Sequence, residues 1–252
     1  TAAELGDRYG RSRQWISKQL SELNVSDRGA VSVSPQPVVV VADAVFFSWS
    51  DGVLIFREPN LKKYLVWKQI RTETPGQYER LKTELEGTGF KIIAVVLDGK
   101  RGVRNVFSGI PVQMCQFHQI MIVGRYLTRR PKLEAGQELR KISLQLTKLN
   151  EEEFTELLDG WNVKWQNFLK ERTFNPENKK WAYTHKRIRS AHRSLRTNMP
   201  YLFTYQKYPE LKIPNTTNSI DGNNTTLKKL LLNHQGLSRE NRYKMICQIL
   251  QN

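Results

Sequence analysis

Three aspartates stand where a carboxylate can do chemistry. Asp43 interrupts Val38-Val39-Val40-Val41-Ala42-Asp43-Ala44-Val45-Phe46-Phe47, a run whose length and β-branched, aromatic content predict a buried strand. A lone charge there costs roughly several kcal/mol even after relaxation. A basic partner, a raised pKa or a bound cation must offset it. From this strand alone, an arginine pair and a metal-binding or catalytic role are equally open. Asp98 ends a second apolar run, Ile92-Ile93-Ala94-Val95-Val96-Leu97, and precedes Gly99, which also fits an ordinary turn. Asp221 follows Thr216-Thr217-Asn218-Ser219. That run is rich in capping residues, so Asp221 is expected in the first turn of a helix, where it would also suit the helix dipole.

These acids need elements to hold them. Val38–Phe47, Val53–Phe56 and Tyr64–Trp67 are predicted as an antiparallel meander, with a turn at Ser50-Asp51-Gly52. Thr74-Pro75-Gly76 starts a helix running to about Glu86. Ile92–Leu97 is a fully buried strand, a short helix covers Gly102–Phe107, and Val112–Phe117 is a fifth strand with His118 at its end. After His118 the spacing is helical: Gln119–Thr128, Leu133–Leu149, Glu151–Lys170 and Lys179–Asn198, with Pro131, Asn150 and Pro176 between them. Helices over about Ile220–Leu232 and from Gly236-Leu237-Ser238 to Asn252 close the chain.

In a β-β-β-α-β-α-β order with the first and fourth strands adjacent, Asp43 and Asp98 converge. With Asp221 they make three carboxylates on rigid elements. That set suits two Mg²⁺ ions, which take few protein ligands and keep waters and phosphate oxygens. Such ions, about 3.5–4 Å apart, serve in-line displacement at phosphorus. Asp51, Asp159 and Glu151-Glu152-Glu153 read as solvated surface. Cys115 and His118 are only two soft ligands with no second pair, and a structural zinc wants four. A buried thiol under the sheet, with His118 bonding near the metal site or to DNA phosphate, is the better expectation.

The Asp43 strand, Leu97-Asp98-Gly99, Cys115-x-x-His118, Thr217-Asn218-Ser219-Ile220-Asp221-Gly222-x-Asn224 and His234-Gln235-Gly236-Leu237-Ser238 together resemble the prokaryotic DDE transposases of the Mutator-like insertion-sequence group. The resemblance covers nearly the whole chain. It implies an α/β, RNase H-like five-stranded mixed sheet with a large all-helical insertion, preceded by a partial helix-turn-helix. It also implies strand cleavage and strand transfer at insertion-sequence ends, with two Mg²⁺ (or Mn²⁺) ions. In that scheme Asp43 bridges both ions while Asp98 and Asp221 hold one each, and water and then a 3′-hydroxyl are the nucleophiles. The implied partners are double-stranded DNA, as terminal inverted repeats and target, and a second copy of the chain as a homodimer on DNA. The family usually carries Glu where this chain has Asp221, one methylene shorter. A catalytically inactive DNA-binding descendant and another nuclease or resolvase on the same fold therefore stay open.

Charge agrees with an anionic partner. The 252 residues carry 40 Lys and Arg against 24 Asp and Glu, a net charge of +16, which puts nucleic acid first. Lys100–Lys132, including Arg129 and Arg130, holds seven basic residues and no acid, and so does Lys179–Arg196. In the latter, Lys186, Arg189, Arg193 and Arg196 form one helical stripe opposite Ile188, Ala191, Leu195 and Met199. Contacts from such a stripe give affinity rather than sequence choice. Trp181 and Tyr183 fall in the same predicted helix, and core packing is expected of them rather than stacking on an unpaired base. Base reading falls to the amino-terminal segment. There a helix, the Gly10-Arg11 break, a Ser12 cap and a helix over Arg13–Leu23, with Arg11, Arg13, Gln14 and Lys18 outward, follow the helix-turn-helix pattern.

The expected organisation is a helix-turn-helix over 1–24, a linker over 25–37, the core's first part over 38–118, the insertion over 119–215, and completing helices over 216–252. Thr1 opens the chain inside a predicted helix, as in a fragment of a longer protein. No apolar run nears the roughly 20 residues of a membrane span, and the basic helices need their apolar faces for the core. Two cysteines make no disulfide framework. The expected setting is a prokaryotic cytoplasm, associated with the nucleoid.

Overall fold

A computed structural model of the chain describes residues 2–22, 34–177, 179–217, 227, 229 and 238–251. It is an α/β protein with a five-stranded mixed sheet. The elements in order are α1 (Ala2–Tyr9), α2 (Arg13–Glu22), β1 (Pro37–Ser48), β2 (Asp51–Glu58), β3 (Lys63–Ile70), α3 (Pro75–Gly87), β4 (Lys91–Leu97), α4 (Val103–Val106), β5 (Val112–Met114), α5 (Gln116–Leu127), α6 (Glu134–Leu144), α7 (Glu151–Lys170), β6 (Arg172–Asn175), β7 (Lys180–Tyr183) and α8 (Lys186–Leu202). A helix over Arg239–Gln251 follows. The sheet order is β3-β2-β1-β4-β5. Among the described residues no helix is long and apolar enough to cross a membrane.

The chain divides into two compact units, residues 1–93 with 218–252, and residues 94–217. In the first, β1, β2 and β3 form the expected antiparallel meander. Every residue of β2 is buried, so its apolar run serves both faces of the sheet. Val45, Val53, Ile55 and Trp67 pack with Ile246, Cys247 and Leu250 of the last helix. The Trp67 indole N–H donates to Cys247 Sγ at 3.1 Å, which gives this buried polar group its partner. The helix α3 starts as its sequence dictates, with Thr74 extended at the N-cap and Pro75 in the first turn. It buries Tyr78, Leu81 and Leu85. At the start of β4, the Lys91 N–H donates to Gln36 O at 3.2 Å, just ahead of β1.

The amino-terminal helices pack closely. A Cβ on Gly6 would lie 2.5 Å from Arg11 O, so only glycine admits that turn. Ser12 caps α2 as expected, its Oγ accepting from the Trp15 N–H at 3.1 Å. Trp15 is exposed and lies under the Arg11 guanidinium at 5.2 Å.

In the second unit, α5, α6, α7 and α8 share one core of Val123, Leu139, Phe154, Leu158, Ala191 and Leu195 with their neighbours. Asn150 and Glu153 close a capping box at the start of α7, so Glu153 is a cap rather than idle surface. Two expectations are corrected. The fifth strand ends at Met114, Cys115 caps α5, and His118 lies inside that helix. The stretch after His118 is not all-helical either. The antiparallel hairpin β6–β7 stands between α7 and α8, and 180–183 are strand rather than helix. The register pairs Phe174 with Trp181 and Arg172 with Tyr183.

Asp51 is also corrected. It is buried rather than solvated. It accepts from Gln69 Nε2 at 3.0 Å, Arg239 Nε at 3.3 Å and Arg242 Nη1 at 2.8 Å. Asp51→Ala leaves two guanidinium groups facing an empty carboxylate position. Because Arg239 is 40% exposed, the expected loss is about 2 kcal/mol, below that of a fully enclosed pair. Urea unfolding measures it. A change under about 0.5 kcal/mol would place Asp51 among ordinary surface positions.

Candidate functional site

Each candidate carboxylate has a distinct setting. Asp43 lies on β1 opposite Ile55 of β2. Residues 38–42 are buried, and cover lapses to half-burial at Asp43 and Ala44. Asp43 therefore sits where the strand opens, not inside its sealed stretch. Asp98 follows the last residue of β4, half-buried, and its Oδ1 accepts the Lys100 N–H at 2.8 Å. Gly99 turns the chain there at φ +93°, and a Cβ would meet the Met114 methyl at 2.4 Å. The backbone angle alone demands glycine, since the Met114 methyl ends a flexible side chain. Asp43 belongs to the first compact unit and Asp98 to the second, and Asp221 lies outside the described residues. Among the described residues no three His, Cys, Asp or Glu side chains gather as a metal cluster.

Arg104 stands near Asp98. Its Nη2 donates to Asn198 Oδ1 at 2.6 Å, and its guanidinium lies 4.2 Å from the Tyr201 ring centre. Burial lowers its pKa, while Tyr201 and the charge of Asp98 act the other way. The sequence counts Arg104 within an acid-free basic stretch. The fold makes it an internal cation beside a candidate ligand.

Cys115 and His118 meet at the start of α5. The Cys115 thiol is fully buried, with Thr217 Oγ1 at 3.4 Å and the Thr217 N–H donating at 3.3 Å. Burial pushes the thiol up, but hydrogen bonds from the His118 side chain, Thr217 and the His118 backbone, with the charge of His118, bring it below its ordinary value. Three buried glutamines missed in the sequence fix this region. Gln113 Nε2 and Gln116 Nε2 each donate to Leu202 O at 2.9 Å, and Gln119 Nε2 donates to Ser194 Oγ at 3.1 Å. Asn215 Nδ2 donates to Gln116 Oε1 at 3.0 Å, so the segment leading to Thr217 is tied to the helix that carries His118.

The basic residues divide by use. Arg11, Arg13, Gln14 and Lys18 are exposed on and beside α2, and Arg129 and Arg130 are exposed between α5 and α6. Lys186 and Arg193 are exposed on α8. Arg196 pairs with Asp159 of α7, so Asp159 is not idle surface. Arg189 donates to Leu169 O at 2.6 Å and lies 3.6 Å over the Tyr183 ring. Ile188, Ala191 and Leu195 are buried as the stripe predicts. An open cleft of about 320 Å³ runs between α7 and α8, with Asn162, Lys170, Arg189, His192 and Arg193 in its lining. Lys170 and His192 were not singled out in the sequence. Trp181, assigned to core packing, is 65% exposed.

His192 supplies a test of this cleft. Its ring lies 5.1 Å from that of Trp161, and Arg196 Nε donates to His192 Nε2 at 3.4 Å. Burial first, then Arg196 and Arg189 against Asp159, lower its pKa from 6.5 to about 4. The folded value lies below the unfolded one, so the unfolded chain binds more protons between them and stability falls as pH drops from 6.5 towards 4. The full shift corresponds to about 3 kcal/mol, and solvent screening of this half-buried ring reduces it to about 1–2 kcal/mol. His192→Phe keeps the ring against Trp161. Its unfolding free energy should lose that much less than the native chain's between about pH 7 and pH 4.5. Parallel pH profiles would contradict the assignment.

No protein-family model, no curated protein and no solved structure matches the chain, so its chemistry rests on the residues described above.

Proposed function

We propose that the chain is a DDE-type DNA transposase on an RNase H-like sheet, acting at the ends of an insertion sequence. The observation that carries this reading is the placement of two half-buried aspartates on strands adjacent in the sheet order. Asp43 is on β1, and Asp98 directly follows β4. The Lys91–Gln36 hydrogen bond supports it, because it ties the first residue of β4 to the residue ahead of β1. Asp221 is the third acid of the proposal.

An all-oxygen donor set fits a hard divalent cation such as Mg²⁺ or Mn²⁺, and the two described carboxylates, Asp43 and Asp98, are partly exposed. Asp43, Asp98 and Asp221 would hold such ions. When bound, the ions activate an attacking hydroxyl and stabilise the departing oxygen at phosphorus. In the first step water attacks the phosphodiester, the P–O3′ bond breaks, and a 3′-hydroxyl leaves. In the second, that hydroxyl attacks a target phosphodiester and a new P–O3′ bond replaces the broken one. The Lys100 amide on Asp98 Oδ1 and the tight Gly99 turn orient that carboxylate. Arg104 balances its charge when no cation is bound. The exposed cations of α2, of the α5–α6 connection and of α8 hold duplex phosphates, with α2 as the proposed groove reader and two copies of the chain on the DNA.

Asp43→Asn and Asp98→Asn should each abolish single-turnover cleavage of DNA carrying the flanking terminal inverted repeats. DNA affinity should stay equal or rise, since a negative charge and no basic contact is lost. Joint loss of binding and cleavage would make these acids structural. Cleavage without joining of a 3′-hydroxyl end to target DNA would point instead to a nuclease or resolvase.

Asp221 sharpens the test, because it stands where the resembling family has Glu. A misplacement near 1 Å costs roughly a hundredfold in rate. Asp221→Glu should therefore speed cleavage in Mg²⁺, and Asp221→Ala should be inactive in Mg²⁺ and Mn²⁺. Equal rates for the native chain and Asp221→Ala would remove Asp221 from the set. No cleavage by the native chain or Asp221→Glu, with terminal-repeat binding intact, would identify an inactive DNA-binding descendant.

A further inference from the structure

We infer that the β6–β7 hairpin and the adjoining α7–α8 cleft form a binding site for single-stranded DNA, with unpaired bases stacked on Trp181 and Phe174 and the backbone held by the surrounding cations. The inference shares a nucleic-acid partner with the proposed function but needs none of its carboxylate chemistry.

The first observation is the face that the hairpin presents. Side chains alternate along a strand, and directly paired residues share a face. The register therefore puts Arg172, Phe174, Trp181 and Tyr183 on one side. Trp181 is 65% and Phe174 44% exposed, their ring centres 5.4 Å apart. Two large rings left side by side in solvent give up the burial that would normally hold them. A base is a flat apolar surface of suitable size, and stacking on aromatic side chains is tolerant of sequence.

The second observation is charge. From Lys170 to Arg193 the chain carries eight Lys or Arg against two acids, Glu171 and Glu177. Glu171 is engaged by His185 Nε2 at 2.8 Å. Tyr183 lies between two guanidinium groups, Arg172 at 4.7 Å and Arg189 at 3.6 Å from its ring centre. The hydrogen bond and charge of Arg172, with Arg189 and Arg193, lower the Tyr183 pKa. Arg189 also lines the cleft, together with Lys170 and Arg193. The aromatic face and the cationic cleft thus meet at one residue. This is the pairing that single-strand binders use, a positive groove for the backbone beside rings for the bases.

The third observation is rigidity. His185 stacks on Phe168 at 3.6 Å, and the Thr184 N–H donates to Glu171 O at 3.0 Å. The base of the hairpin is therefore fixed to the end of α7 and the start of α8, so stacking on it costs little ordering. A duplex, whose bases are already stacked, offers this face only its phosphates.

The test is fluorescence anisotropy of the full chain with a labelled oligothymidylate of about 16 nucleotides and with a duplex. Trp181→Ala should weaken single-strand binding about tenfold and leave duplex binding nearly unchanged, and Trp181→Phe should restore most of the loss. Phe174→Ala should act in the same direction. Arg193→Ala should weaken both ligands and reduce the salt dependence of each. Single-strand binding that is absent, or indifferent to Trp181→Ala, would overturn the inference while leaving duplex binding and the carboxylate reading standing. Equal losses for both ligands in Trp181→Ala would also overturn it. Single-strand binding sensitive to Trp181, without any duplex binding, would support the inference and overturn the proposed function.

Discussion

A carboxylate enters an apolar sheet only where a cation, a set of donors or an opening to solvent meets it, since an uncompensated one costs several kcal/mol. The acids of this protein show three ways of meeting that limit. Asp51 is buried and held by Gln69, Arg239 and Arg242. Asp98 stands past the end of β4, with the Lys100 amide on one oxygen. Asp43 occupies the position where β1, sealed over residues 38–42, becomes half-covered. Asp51 is thus committed to structure, whereas Asp43 and Asp98 sit where solvent can reach them. That contrast singles out two acids as candidate ligands and leaves a third to the fold.

The same logic sorts the cations. A net charge of +16 predicts an anionic partner but does not say which residues meet it. The fold takes Arg104 inward onto Tyr201 and Asn198, pairs Arg196 with Asp159, and uses Arg189 to join Tyr183 to the carbonyl of Leu169. Lys186, Arg193, Arg129 and Arg130 remain at the surface. Arg189 therefore has packing as well as charge to lose, and its substitution would mix the two effects. Arg193 is the cleaner probe of phosphate contact.

Much of the sheet was legible because its signals are local. The β-branched run around Asp43, the Thr74-Pro75 helix start and the Asp98-Gly99 strand end each appear where the residue pattern puts them. Long-range partners were not legible. Asp51 looked like a turn residue because Arg239 and Arg242 lie far along the chain. Gln113, Gln116 and Gln119 looked ordinary because their partners come from Ser194, Leu202, Asn215 and neighbouring residues. The hairpin was missed for another reason. Helical spacing predicts one helix over Lys179–Asn198, although Thr173-Phe174 and Trp181-Ala182-Tyr183 flank a Pro-containing turn, which is a hairpin signal. Of the candidate site, the sequence proposes three acids; the fold describes two of them, Asp43 on β1 and Asp98 after β4.

The proposal that Asp43 and Asp98 share a divalent cation is tested most directly by iron-directed cleavage of the polypeptide. Fe²⁺ replaces Mg²⁺, ascorbate and peroxide generate hydroxyl radicals at the bound ion, and the chain is cut where it approaches that ion. The account predicts two clusters of cuts, one about Asp43 and one about Asp98, both suppressed by excess Mg²⁺ and both lost together in Asp43→Asn. Cuts beside only one of these aspartates, or cuts elsewhere that survive Asp43→Asn, would contradict it.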